Sequence, residues 1–166
     1  MSRTIGPALE PAQGFYDLGL YHDAWTALDE LPVEDAAHSL TISLRLDILM
    51  ALDRVDDAVA LGTGACRLWP QKEDFFLKTA AALMILDDHE KGKTLLWAAP
   101  SSLRSRAAYW YDLARCQART GEVDAAKKSL EECIRKDKAY RARALDDPDL
   151  KSMWETFNVE PAQNDN

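Results

Sequence analysis

Gly19-Leu20-Tyr21-His22-Asp23-Ala24 is matched further along the chain by Asp53-Arg54-Val55-Asp56-Asp57-Ala58. The same step leads to Asp87-Asp88-His89-Glu90-Lys91-Gly92, and then to Gly121-Glu122-Val123-Asp124-Ala125-Ala126. The period holds without insertion and marks four blocks, 5–38, 39–72, 73–106 and 107–140. A fixed period of this length is the signature of a repeat architecture. Gly or Asp opens each stretch, and both tolerate left-handed or capping geometry. Five positions on stands a small residue, Ala24, Ala58, Gly92 or Ala126. A small side chain there lets two antiparallel helices approach closely.

Apolar residues recur at helical spacing on both sides of each turn. Ile42, Leu46 and Leu49 precede the second turn, for example, and Leu61 and Ala65 follow it. Pro32, Pro70 and Pro100 fall between helical stretches, where proline is tolerated. The pattern predicts helices over 9–18, 22–31, 34–52, 55–68, 71–86, 89–98, 101–119 and 123–136. Pro7 and Pro11 predict a short first helix. No segment alternates apolar and polar residues long enough to demand a strand. The polar stretch Asn158–Asn166 lacks periodicity and reads as a flexible tail.

The chain has 166 residues, 47% of them hydrophobic and 29% charged, which is the profile of a folded, soluble protein. Its formal net charge of −8 argues against nucleic acid or an anionic membrane as the main partner, since both require clustered positive charge. No apolar run approaches the ~20 residues of a membrane span, and no basic-then-apolar leader opens the chain. Cys66, Cys116 and Cys133 cannot all pair within one chain, and no CxxC spacing exists. They read as buried small hydrophobes in a reducing compartment, which predicts a cytoplasmic protein.

With this in-phase period, the Gly-x-Tyr-x-x-Ala of Gly19, Tyr21 and Ala24, and the Gly-x-Val-x-x-Ala of Gly121, Val123 and Ala126, the sequence resembles the tetratricopeptide repeat (TPR) family. Tyr140-Arg141-Ala142-Arg143 with Asp147-Pro148-Asp149-Leu150 is similar to the closing segment of bacterial members. The resemblance implies an all-α, right-handed helical-repeat solenoid with four helix pairs and a C-terminal capping helix. It implies one domain over 1–157, with the cap at 141–157. The blocks depart from the family in places. Gly62 stands where a large residue is usual, and Gly92 where alanine is usual, which weakens local packing or lets a bulkier neighbour in.

In the family, the first helix of each pair lines a concave face that binds a peptide or a partner helix. Register carries those positions onto Gln13, Tyr16 and Asp17, then Leu40, Ser43, Leu44, Asp47 and Met50. The third block supplies Leu77, Lys78, Ala81 and Met84, and the fourth Tyr111, Asp112, Arg115 and Arg119. The partner-binding groove is thus expected to be Tyr16, Leu40, Leu44, Asp47, Met50, Leu77, Met84, Tyr111, Arg115 and Arg119. Its apolar members suit hydrophobic anchors, methionines adapt to varied shapes, and the charges select register. The same stripe is also what a core looks like, because 40–52 is apolar nearly all round. The chain's own C-terminal segment could lie on the groove as well. The family's carboxylate clamp is not matched, since Leu9 and Gln13 stand where its lysine and asparagine would be.

The expected function is a non-catalytic adaptor or scaffold for a protein or peptide partner. The alternative is a small secretion-type chaperone holding an unfolded client segment. No catalytic residue, metal site or cofactor is expected. Asp87-Asp88-His89-Glu90 combines carboxylates with a histidine, but it falls on the shared turn, where Asp caps helices and a histidine is normally solvated. No P-loop, dinucleotide fingerprint or Gly-x-Ser-x-Gly is present. Block one carries seven acids and no Lys or Arg, while basic residues cluster from Lys127 to Arg143. Weak head-to-tail self-association of the acidic and basic ends is a further expectation.

Overall fold

The computed structural model describes residues 5–157. The polar stretch 158–166 and residues 1–4 lie outside them. The chain divides into two compact units, one ending at Leu86 and the other beginning at Asp87. The division falls at the turn of the third block. Among the described residues every regular element is helical.

The first unit holds α1 (Gly6–Asp17), α2 (Tyr21–Asp29), the single turn α3 (Val33–Ala36), α4 (Ser39–Ala51), α5 (Val55–Leu68) and α6 (Glu73–Ile85). The second holds α7 (His89–Trp97), a 3-10 turn at Ser101–Ser105, α8 (Ala107–Arg119) and α9 (Val123–Lys136). It closes with α10 (Tyr140–Asp146), a 3-10 turn at Pro148–Leu150, and α11 (Lys151–Phe157).

The repeat is written in the backbone. Gly19, Asp53, Asp87 and Gly121 hold the same position in the four blocks and have φ of +75°, +57°, +60° and +82°. The residue after each is the N-cap of the following helix. Leu20, Arg54, Asp88 and Glu122 share φ between −86° and −91° and ψ between 59° and 65°. Three turns close in the same way. Gly19, Asp53 and Gly121 donate to the carbonyls of Tyr16, Met50 and Ala118. Leu20, Arg54 and Glu122 donate to those of Phe15, Leu49 and Gln117. This paired pattern satisfies the last carbonyls of the preceding helix. The small residue predicted five positions on is buried as required, with Ala24, Ala58 and Ala126 at most 1% exposed.

Three helix boundaries depart from the periodicity. The predicted helix 34–52 breaks into α3 and α4. His38 is extended there, and its Nδ1 accepts from the Leu40 amide at 3.2 Å, which caps α4. The predicted helix 101–119 breaks at Arg106, whose ψ of 133° is extended. Trp110 Nε1 donates to the Arg104 carbonyl at 2.7 Å and satisfies that end. The first helix runs the full 12 residues of α1, longer than its prolines suggest. Pro7 lies in the first turn, where no amide donor is needed, and Pro11 forfeits one hydrogen bond near the middle of the helix.

Each unit has its own core. In the first, Leu9 and Ala12 of α1, Ala24 and Leu28 of α2, and Leu44 and Ile48 of α4 pack together. Arg45 of α4 ties this packing to the end of α2. It donates to the Leu28 carbonyl at 3.1 Å, pairs with Asp29 at 2.8 Å, and stacks 4.7 Å from the Trp25 ring. A cation there complements the negative end of the helix. In the second unit, Tyr111, Ala114 and Ala118 of α8 pack with Leu130 and Cys133 of α9. Ala144, Leu150 and Met153 of the closing segment complete that cluster.

Candidate functional site

In the first unit the candidate face is built by α1, α4 and α6. Leu40, at the start of α4, is 49% exposed. It borders a shallow cavity of roughly 100 Å³ that reaches Lys72 and Phe75. One helical turn on, Ser43 and Asp47 converge on Lys78 of α6. Lys78 Nζ donates to Asp47 Oδ2 at 2.6 Å, to Ser43 Oγ at 2.7 Å and to the Ser43 carbonyl at 3.3 Å. This ammonium fixes α6 against α4, and the pair is charge-assisted. Met50 and Leu77 are half-buried. Tyr16 of α1 is also half-buried, with its ring 5.5 Å from that of Tyr21. Burial first, and then the negative charge of Asp47, holds its hydroxyl pKa above the usual value.

In the second unit the equivalent face of α8 is covered by the chain itself. Arg115 receives the closing segment. Its Nη2 and Nε donate to Asp149 Oδ2 at 2.7 and 3.0 Å, its Nε lies 3.2 Å from Asp147, and its Nη1 lies 3.5 Å from Asp112. The Tyr111 hydroxyl donates to Asp147 Oδ2 at 2.5 Å. The Arg143 guanidinium stacks 4.8 Å from the Tyr111 ring. Arg119 pairs with Asp87 and lies 4.0 Å from Asp149 Oδ1. Asp112 is drawn from solvent, and burial pushes its carboxyl up to about 6 even though Arg115 opposes the shift.

These positions correct part of the expected groove. Leu44 and Met84 are each 6% exposed, and Tyr111 is 1% exposed. They are core residues and do not form an open apolar stripe. For Leu44 the reason is that α4 is buried on more than one side, with Thr41, Leu44, Leu46, Ile48 and Leu49 all inside. Tyr111 is enclosed because the closing segment packs over α8. Arg115 and Arg119 are engaged by in-chain carboxylates. Leu40, Asp47, Met50, Leu77 and Tyr16 remain at least partly accessible on the first unit.

Several polar residues of consequence are not singled out by the sequence. Asp147 and Asp149 read there as closing-segment residues, with nothing to connect them to Arg115. Asp149 stands one repeat period beyond Arg115, and that spacing is the available signal. Lys93 is 5% exposed and donates to Glu90 at 3.1 Å and Thr120 at 3.3 Å, and it pairs with Glu122. His89 is not a solvated turn residue. It is the first residue of α7 and is 5% exposed, with Nε2 3.1 Å from Asp87 Oδ1. His22, at the equivalent turn, is exposed. Among the described residues no group of three or more His, Cys, Asp or Glu side chains is arranged to hold a metal ion. Among them, too, no helix is long and apolar enough to cross a membrane.

No family model matches the sequence, and no curated protein aligns with it significantly. Solved structures do match. The MamA protein superposes with a TM-score of 0.72 at 17% identity, covering 98% of each chain. MamA from Desulfovibrio magneticus RS-1 gives 0.73 at 15% identity, covering 93% of this chain and 94% of that one. YrrB, described as a TPR protein with an unusual peptide-binding site, gives 0.68 at 13% identity, covering 96% and 88%. At these identities the likeness is one of fold, and the fold is the all-α helical repeat of the TPR type.

Proposed function

We propose that this chain is a non-catalytic protein-interaction module, and that its first unit receives a partner's extended or helical segment on the face of α4 and α6. The carrying observation is Leu40. It is a large apolar side chain, 49% exposed, beside a polar bridge that Lys78, Asp47 and Ser43 hold in place. Half-buried Met50 and Leu77 extend the apolar surface. A hydrophobic anchor flanked by fixed polar groups is how a helix or strand is gripped in register. The peptide-binding description of YrrB supports the reading by analogy of fold. The matching face of α8 has its arginines occupied, so the proposal rests on the first unit.

The test is capture of a partner by cross-linking, comparing the native chain with Leu40→Asp/Leu77→Asp. Both positions reach solvent, so helical circular dichroism should persist while capture is lost. Equal capture by the variant would remove the assignment. A client held only while unfolded, and released on folding, would favour the secretion-chaperone alternative.

A further inference from the structure

The end of the second unit formed by α9, α10 and α11 carries a groove separate from the face of α8. Its deepest part is a cavity of roughly 340 Å³ with Ile134, Leu145, Met153 and Trp154 among its walls. Through Ile134 and Arg141 it continues into a second hollow of roughly 490 Å³ along α9. Leu145 is a large apolar side chain, yet it is 62% exposed, next to the buried Ala144 of the same helix. An apolar hollow of this size with an exposed leucine at its lip is a site for a side chain from elsewhere.

Charge narrows the class of occupant. The chain is strongly acidic, yet the α9 side of the groove carries Lys127, Arg135, Lys138 and Arg141 against Glu131. Lys127, Glu131 and Arg135 are spaced by four positions and so share one stripe of α9, while Lys138 and Arg141 follow beyond its end. Arg135 is partly neutralised by Glu132, at 2.5 Å. Lys138 and Arg141 have no carboxylate partner among the described residues. The other end of the groove reverses sign, because Asp146 and Glu155 line it with Lys151. A continuous polyanion, such as a phosphate backbone or an anionic lipid surface, would be attracted at one end and repelled at the other. A protein segment can match both.

We propose that this groove docks an acidic amphipathic helix of a partner protein. One large apolar side chain seats among Ile134, Leu145, Met153 and Trp154. Carboxylates one turn away on the same face meet Lys138 and Arg141. The surface is independent of the α4–α6 face.

A display library of randomised helical peptides, panned on the full chain and counter-selected on Leu145→Asp, tests this. Enriched sequences should combine a large apolar residue with acids three or four positions away. A labelled peptide of that sequence should bind at least ~10-fold more weakly to Leu145→Asp, to Leu145→Ser and to Arg141→Glu, with binding to Leu40→Asp/Leu77→Asp unchanged. Binding should weaken as salt rises. The proposal fails if no acidic class is enriched, or if these variants leave affinity unchanged. It fails equally if duplex DNA or phosphatidylserine vesicles bind as tightly as the peptide and compete with it. A concentration-dependent dimer lost in Leu145→Asp would give the groove to a second copy instead. Carbodiimide cross-links from Lys138 to Glu160 or Asp165 within one chain would give it to the chain's own end.

Discussion

A β-carbon on Gly62 of α5 would stand 2.1 Å from the Oγ1 of Thr79 on α6. The Thr79 side chain packs directly on the Gly62 backbone there. Thr79 is fully buried, and its hydroxyl donates to the Phe75 carbonyl at 2.6 Å, so it has nowhere to retreat. Alanine normally stabilises a helix interior by up to ~1 kcal/mol over glycine. At Gly62 the clash should reverse the sign and cost about 1–3 kcal/mol. Gly64, two positions on in the same helix, has open space around its would-be β-carbon. Gly64→Ala should therefore stabilise. Urea melts of the two single variants test the contrast, and Thr79→Ala should rescue Gly62→Ala. Two variants of the same sign would refute the close contact.

The left-handed turns make a second contrast. Asp53 holds φ of +57°, a conformation that costs an ordinary L-residue roughly 1–2 kcal/mol and glycine nothing. Gly121 stands in the same conformation two repeats later, with nothing near its would-be β-carbon. Asp53→Gly should gain about 0.5 kcal/mol, since part of the relief is lost to the greater freedom of glycine when unfolded. Gly121→Ala should lose about 1 kcal/mol. Thermal melts would read both, and a loss at Asp53→Gly would show that its carboxylate outweighs the backbone.

These turns explain why the fold is legible in the sequence and the site only partly so. Glycine and aspartate at a fixed period announce a backbone conformation, and that conformation is local. The small residues at 24, 58 and 126 announce a close helix approach within the same block. Gly62 is legible as room for a bulkier neighbour, but Thr79 as that neighbour is not. The groove depends on longer-range facts. Leu44 and Tyr111 carry the same helical spacing whether they face solvent or a neighbouring helix. Periodicity gives the face of a helix and says nothing of what covers it. By register alone Arg115 is free to meet a partner's carboxylate, whereas Asp149, one repeat period on, already occupies it. His38 and Arg106 break helices for reasons of capping and extended geometry that apolar spacing does not carry.

Asp112 gives the pH dependence. Its side chain is 16% exposed, and burial raises its carboxyl to about 6, against an ordinary 3.8. The folded state therefore holds this proton more tightly than the unfolded state. The resulting penalty is absent below about pH 3.8 and complete above about pH 6, so the contribution to stability falls as pH rises through that window. Asp112→Asn should stabilise by up to about 3 kcal/mol at pH 7.5, and by little near pH 4. Comparing the two proteins at each pH cancels the opposite trend of Asp88 and Glu122. Hydrogen bonds from Lys91 and Lys93 hold those two carboxyls low. A difference that does not change with pH would show that Asp112 is not the group responsible.

Arg115 is expected to hold the closing segment. Removing it leaves Asp112, Asp147 and Asp149 together, with side chains 9–16% exposed. Breaking one partner of a buried pair costs several kcal/mol because the other charge is stranded. With Arg115 itself 22% exposed, we expect about 2–4 kcal/mol for Arg115→Met. Hydrogen exchange should speed first in 140–157, and Asp149→Asn should cost less in that background than alone. Uniform acceleration across the second unit would mean that the arginine supports the α8–α9 pair more than the cap.

Cysteine labelling can separate the two units. All three thiols are free and buried. Burial raises each pKa, to about 12 at Cys116 and about 11 at Cys133, and upward at Cys66. The thiolate is the reactive form, so the folded protein should resist alkylation at pH 8. Labelling then requires opening, and its rate reports the free energy of that opening. Cys66 belongs to α5 of the first unit, while Cys116 and Cys133 belong to α8 and α9, which pack together in the second. Cys116 and Cys133 should therefore label together, with one dependence on denaturant, and Cys66 with another. Arg115→Met should accelerate Cys116 and Cys133 while leaving Cys66 unchanged. Mass spectrometry of digests after timed exposure to iodoacetamide would read all three sites. If the three thiols label at one rate under every denaturant condition, the chain opens as a single cooperative unit, and the two cores do not behave as separate stability elements.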